Sequence, residues 1–143
     1  MASPPVRPFY LSNLASLYPW LIGYALLDVA YVVASRSVYM SRVVAISGDS
    51  GAPETGKLIV CAVLVYAVLA AGWALIAAPA AKDALKGAKA GALYGLVLYG
   101  VFNLTTGAMF REWTFAIMAR DTLWGAGSLA AVTAAYGATV AAQ

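Results

Sequence analysis

Residues 58–81 read LIVCAVLVYAVLAAGWALIAAPAA, a stretch without a charged residue between Lys57 and Lys82. An α-helix needs about 20 apolar residues to cross the roughly 30 Å hydrocarbon core of a bilayer, and this stretch reaches that length. Three further runs of similar length are also uncharged, at residues 8–27, 90–110 and 122–143. Four such runs predict four transmembrane helices.

The composition of the 143-residue chain favours the same class. Hydrophobic residues make up 63% of it and charged residues 10%, whereas soluble domains carry roughly 25% charged residues. The mean hydropathy is +0.81. We therefore predict an all-α integral membrane protein, a four-helix bundle with short loops that forms one domain over residues 1–143. The predicted helices cover approximately residues 12–34, 58–79, 89–110 and 115–138.

The segment after the first run differs from the runs themselves. Residues 35–46 are amphipathic, with Arg36 and Arg42 on the face that we expect to be wet. Such a segment is predicted to lie along the membrane surface as an interfacial helix. Basic residues divide evenly between the two ends of the helices, so the positive-inside rule assigns no orientation. An organellar, a bacterial inner and a viral internal membrane all stay open.

The side-chain chemistry argues against catalysis and against nucleic-acid binding. The nine basic residues form no stripe, and the net charge is only +3. The chain has no histidine, the commonest general base and metal ligand. Its single cysteine, Cys61, lies within an apolar run. We therefore expect no enzyme activity, no metal site, no cofactor and no nucleic-acid partner.

Three polar residues interrupt the apolar runs at a similar depth. Asp28, Asn103 and Asp121 each lie eight residues from a charged or aromatic interface residue, which is about 12 Å along a helix. Because successive helices run in opposite directions, this spacing places all three in the same half of the bilayer. Arg120 is adjacent to Asp121 and cannot pair with it on a helix. We expect Arg120 to reach Asp28 or the membrane interface.

This polar intramembrane cluster has two interpretations. Its members could form interhelical hydrogen bonds that fix the register of the helices, each worth roughly 0.6–2 kcal/mol. Alternatively, they could line a small cavity that binds an ion, a proton or a lipid headgroup, since polar groups inside a membrane are costly and are commonly functional.

Glycines mark the expected helix contacts. Gly87, Gly91 and Gly95 recur every four residues, and ridges of small residues at this spacing allow helices to approach closely in lipid. In the last run Gly125 follows Asp121 by about one turn. We therefore expect both glycine-bearing faces to turn inward.

The first and third runs share a short pattern. The sequence Tyr-x3-Asp/Asn-x7-Arg begins at Tyr24 and again at Tyr99. Tandem duplication of a two-helix unit, as in transporters built from parallel repeats, would produce such a match.

Several motifs together resemble those of a known family. They are Leu-Asp at 27–28, FNLTT at 102–106, a tryptophan at 113 and DTLWG at 121–125. Over roughly residues 10–138 the chain resembles the DUF2177 family (domain of unknown function 2177) of small four-helix predicted membrane proteins. The resemblance implies the fold and no assigned biochemistry. It also implies a carboxylate in the third helix, where this chain has Asn103; a hydrogen-bonding role would survive that change, but exchange of a proton or cation would not.

The function that we expect is structural or accessory, within a larger membrane assembly. Almost no soluble mass accompanies the helices, so partners would dock within the bilayer. The alternative is a small oligomeric transporter or channel subunit that uses the polar cluster and self-associates through the ridge of Gly87, Gly91 and Gly95. The expected partners are thus the lipid bilayer and either other membrane subunits or further copies of the chain.

Overall fold

The computed structural model describes residues 14–48 and 55–143, and this part of the chain is helical with no strand. The helices are α1 (Leu14–Ala34), α2 (Arg36–Ser47), α3 (Thr55–Gly72), α4 (Ala84–Met109) and α5 (Phe115–Ala141). A π-helical turn (Trp73–Ala77) and a 3₁₀ turn (Ala78–Ala80) extend α3. The predicted all-α class is confirmed. The first two residues of the predicted 12–34 helix lie outside the described residues.

The start of α4 differs from the predicted one because of a local hydrogen bond. The third long helix begins at Ala84 instead of residue 89, since the carboxylate of Asp83 accepts from the backbone N–H of Lys86 at 2.8 Å. This N-cap satisfies a free donor of the first turn. The Lys86 side chain also lies 2.7 Å from Asp83 and holds the pKa of that exposed carboxyl below its usual value.

Three of the described helices are both long and apolar enough to cross a membrane: Ser16–Ala34, Thr55–Ala80 and Ala84–Met109. The fourth, α5, is long enough at 27 residues but is more polar. It carries Arg120 and Asp121 together with several Gly, Ser and Thr residues, some of which it turns towards α4. Three of the four predicted spans therefore meet both criteria, and α5 meets the criterion of length.

The core lies where the four long helices meet. α1 and α4 run in one direction and α3 and α5 in the other. Asp28 of α1 meets Tyr66 and Trp124 at one level, whereas Trp20 and Trp73 meet Tyr136 at another. Along α4, the order of the glycine contacts with α5 is likewise reversed. The indole N–H of Trp73 donates to the Thr133 hydroxyl at 2.8 Å. The buried hydrophobic residues of this core are Leu17, Tyr24, Leu69, Trp73, Ala74, Ala77, Ala78, Tyr94 and Leu129.

The π-helical turn after α3 has a definite cause. The hydroxyl of Tyr94 donates to the carbonyl of Leu69 at 2.9 Å, and the backbone N–H of Trp73 lies four residues further along the chain. A regular α-helix would join that carbonyl and that N–H directly. A side chain inserted into the helical hydrogen-bond ladder distorts the helix locally, and the glycine at position 72 leaves room for it, since a Cβ there would collide with the Tyr94 hydroxyl.

α4 and α5 pack antiparallel with their backbones in contact. Gly87, Gly91 and Gly95 are buried, and a Cβ at any of them would collide with a backbone carbonyl of α5. The three carbonyls belong to Thr133, Leu129 and Gly125 respectively. We call this contact the glycine seam. The small residues thus serve close helix approach within one chain, and the seam is not available for self-association.

α2 lies against the α4–α5 connection. Its residues Val38, Tyr39 and Ile46 pack on a buried group formed by Trp113, Ile117 and Met118. Arg36 is exposed, as expected, whereas Arg42 is partly buried and its Nε is shielded from solvent. Arg42 lies one turn from both Val38 and Ile46 and therefore on the packed face. The expectation of a fully wet Arg42 is wrong because those apolar contacts set the rotation of α2.

We predict that Gly95→Ala destabilises the protein by about 1–3 kcal/mol, because an added methyl group overpacks the seam. The free energy of unfolding in mild detergent measures the effect. Gly100→Ala, on the same helix, is the matched control, since the nearest atom to its Cβ would be Thr122 Cγ2 at 3.9 Å. Equal stability of the two variants would contradict a tight seam.

Candidate functional site

The carboxylate of Asp28, on α1, accepts a hydrogen bond from a side chain of each of the other three long helices. Its Oδ1 accepts from the Tyr99 hydroxyl of α4 at 2.9 Å and from the Trp124 indole N–H of α5 at 3.0 Å. Its Oδ2 accepts from the Tyr66 hydroxyl of α3 at 2.9 Å. Asp28 is only 8% exposed. An indole can only donate and a phenol has one proton to give, so the arrangement suits an acceptor-only carboxylate.

A further tyrosine, Tyr24, hydrogen-bonds to one of the three donors of Asp28. The hydroxyls of Tyr24 and Tyr99 are 2.6 Å apart. Because Tyr99 gives its proton to Asp28, Tyr24 is the donor to Tyr99. The Tyr99 ring lies against Gly125, where a Cβ would overlap it. The glycine seam therefore sets the position of the hydroxyl that reaches Asp28.

Asp121, on α5, forms a second carboxylate site one turn nearer the α4–α5 connection. Its Oδ1 accepts from the Tyr39 hydroxyl and its Oδ2 from the Asn103 amide, both at 2.7 Å. The Tyr31 hydroxyl is 2.8 Å from that of Tyr39 and donates to it. Burial raises the pKa of the Tyr39 phenol, and its hydrogen bonds with Tyr31 and Asp121 raise it further. Tyr39 therefore stays protonated and acts as a donor.

The amide of Asn103 is bonded on both sides. Its Oδ1 accepts from the Trp113 indole at 2.9 Å, and its Nδ2 donates to the Tyr99 carbonyl at 2.8 Å as well as to Asp121. Asn103 is 0% exposed. Because an indole can only donate, its contact settles which amide atom is the oxygen.

The two carboxylate sites are joined through stacked rings. Trp124, which donates to Asp28, stacks on Tyr31 with ring centroids 4.2 Å apart and an interplanar angle of 8°. Tyr31 in turn donates to the tyrosine that holds Asp121. We call the whole set the aromatic–carboxylate cluster: Tyr24, Asp28, Tyr31, Tyr39, Tyr66, Tyr99, Asn103, Trp113, Asp121 and Trp124.

Arg120 takes a different partner from the one that charge alone suggests. Its Nη2 donates to the hydroxyl of Ser35 at 3.0 Å, and its guanidinium carbon lies 5.7 Å from the centre of the Tyr31 ring. Ser35 sits at the junction of α1 and α2 and is buried. Arg120 forms no ion pair with Asp28; it ties α5 to the α1–α2 junction instead.

Of the polar residues that the sequence indicated, only two are in direct contact with each other. Asn103 and Asp121 are in direct contact, and Asp28 joins them through Tyr99 and Trp124. Sequence reasoning missed the aromatic donors, above all Tyr39 and Tyr66. One signal was available for the second of these, since Tyr66 has the only hydroxyl in residues 58–81.

The cluster is packed and internally bonded. Each described carboxylate oxygen of Asp28 and Asp121 has a donor, and the described residues contain no group of three or more Asp, Glu, Cys or His side chains that could hold a metal. An open groove of about 500 Å³ lies elsewhere, on the outer surface of α4 and α5. Chemically, the arrangement fixes helix positions and offers two short hydroxyl relays.

A family model described as "Predicted membrane protein (DUF2177)" matches residues 21–139. The chain belongs to the DUF2177 family. The match covers both carboxylate sites, and together with the apolar helices it makes the chain an integral membrane protein. No curated protein matches the chain, and no solved structure does.

We predict that Tyr66→Phe loosens α3 in this DUF2177 protein. The change removes only the hydroxyl that binds Asp28, and the lost interhelical hydrogen bond should lower the free energy of unfolding by about 0.6–2 kcal/mol. Unfolding in mild detergent is the measurement. Tyr18→Phe, at a side chain 63% exposed, should change nothing. An unchanged stability of Tyr66→Phe would show that Asp28 does not hold α3.

We predict that Asn103→Asp makes stability pH-dependent. The new carboxyl would face Asp121 across a 2.7 Å contact, and two carboxylates at that distance must share a proton. The folded variant then binds more protons than its unfolded chain, so its stability relative to wild type falls as pH rises from about 5 to 8. Thermal unfolding across that range measures it. A constant difference between variant and wild type would mean that the two carboxyls do not meet.

Proposed function

We propose that this DUF2177 protein is a structural or accessory subunit of a larger membrane assembly, with a non-catalytic role. The supporting observation is the division between its interior and its outer surface. The buried carboxylates and their donors bond to one another in the aromatic–carboxylate cluster, while many large hydrophobic side chains are exposed on the outer faces of the long helices. A module of this kind keeps its own fold and offers neighbours a smooth hydrophobic surface.

The groove on the outer surface of α4 and α5 is the contact that we propose for a partner. Gly100 and Ala119 lie in it, and small residues allow another helix to approach closely. The remaining lining residues are Leu96, Val97, Val101, Leu104, Phe115, Met118 and Thr122. The occupant that fits is an apolar transmembrane helix of another subunit, because the groove offers scarcely any polar group to a ligand.

A second candidate function, a small oligomeric transporter or channel subunit, draws support from the relay of Tyr24, Tyr99 and Asp28. Proton relays inside membranes are built from such ionisable and hydrogen-bonding groups. Self-association through Gly87, Gly91 and Gly95 is excluded by the glycine seam, so an oligomer would have to use another surface. The same experiment distinguishes the two functions.

The test uses a photoreactive amino acid at Val101, in the groove, and at Val63, on the outer face of α3. Both side chains are 63% exposed, which makes Val63 a matched control. After illumination in native membranes, we expect Val101 to give one discrete adduct, identified by mass spectrometry as a different membrane protein and recovered by reciprocal tagging of that protein. We expect no such adduct at Val63.

Two results would contradict the accessory role. Adducts at Val101 that contain only further copies of this chain, with a discrete homo-oligomer in mild detergent, would favour the transporter. Equal labelling of lipid at Val101 and Val63 would show that the groove has no protein occupant.

A further inference from the structure

Arg42 carries a hydrogen-bond donor that has no acceptor in the part of the chain that the structure describes. Its Nε is shielded from solvent and has no hydrogen-bond partner within the described residues, although buried polar side-chain atoms are almost always paired. The described carboxylates at this end of the helices are otherwise engaged. Glu112 pairs with Arg111 at 2.9 Å, and Asp121 accepts from Tyr39 and Asn103. Within residues 14–48 and 55–143, the Arg42 guanidinium therefore has no anionic partner.

The position of Arg42 indicates where that anion comes from. α2 follows directly on the end of α1 and packs against Trp113 in the α4–α5 connection. A short helix that follows the end of a membrane-spanning helix and carries basic residues suits the zone of the lipid headgroups. Lipid phosphates are the anions present there at high density.

The charge at this end of the helices suits an anionic lipid. The described cations there outnumber the one described carboxylate outside the cluster, Glu112. These cations are Arg36, Arg42, Lys57, Arg111 and Arg120. Basic residues near an anionic membrane surface are attracted to it, and their contributions add. The ion pair with Glu112 also leaves the Arg111 side chain 94% exposed.

We propose that Arg42 binds the phosphate of an anionic phospholipid and so completes the contact of α2 with the α4–α5 connection. A guanidinium presents a planar fork of donors that matches two phosphate oxygens. The lipid would supply the acceptor that the buried Nε lacks. This site does not depend on any partner subunit.

The test compares the full-length protein with Arg42→Gln after reconstitution into vesicles of phosphatidylglycerol and phosphatidylcholine. Native mass spectrometry then counts the lipids retained. We expect Arg42→Gln to retain phosphatidylglycerol about tenfold less well, the effect of losing a charge-assisted hydrogen bond. Arg36→Gln, an exposed position on the same helix, is the matched control and should differ from wild type by less than about twofold.

Two further measurements separate binding from folding. In lipid-free detergent, Arg42→Gln should unfold at or above the wild-type temperature, because it removes a buried donor that has no partner. Arg42→Lys keeps the charge but not the fork, and should show an intermediate retention of phosphatidylglycerol.

Three results would overturn the proposal. Unchanged retention of phosphatidylglycerol by Arg42→Gln would remove the lipid as the partner. Displacement of the lipid by millimolar inorganic phosphate would assign the site to a free anion. A gain in retention by Asp49→Asn or Glu54→Gln, whose positions lie outside the described residues, would show that an acid of this chain already occupies the guanidinium.

Discussion

The hydrogen bonds to Asp28 are the constraint on which the arrangement of the helices depends. Three donors from three helices meet one carboxylate on a fourth, so the rotation and the height of all four long helices are fixed at one point. α3 shows why this matters. Its first part is exposed almost throughout, apart from Tyr66. Apolar contacts with protein compete with equal contacts to lipid, so the Tyr66 hydroxyl is what positions this first part of α3. The contacts of Leu69 and Trp73 position the other end.

The geometry of the two carboxylate sites depends on the close packing of α4 and α5 at the glycine seam. Close approach of α4 and α5 places Tyr99 over Gly125 and brings Asn103 to Asp121. A wider helix spacing would lengthen both contacts at once. The donors around Asp28 and Asp121 are all neutral groups. They are phenols, an indole and an amide. The interior is thus held by hydrogen bonds with defined directions instead of by ion pairs.

The sequence predicted the all-α membrane class, because length and absence of charge are properties of single helices. It could not predict the partners of Arg120 or Asp28. These partners depend on how each helix is rotated about its axis relative to its neighbours. The pattern of apolar residues specifies that rotation poorly when lipid covers most faces of a helix. The Tyr94 contact that distorts α3 likewise arises between two helices. Arg42 was misplaced for the same reason, since its burial depends on what α2 packs against.

The sequence separations around Asp28 bear on how the chain enters a membrane. Its three donors follow 38, 71 and 96 residues later. At a synthesis rate of roughly 5–20 residues per second, the last arrives about 5–20 s after Asp28 itself. An unpartnered aspartate at mid-helix costs about 2.5–3.5 kcal/mol on insertion scales. The carboxylate of Asp28 therefore gains its donors one helix at a time, and its set of donors is complete only once Trp124 of α5 has been made.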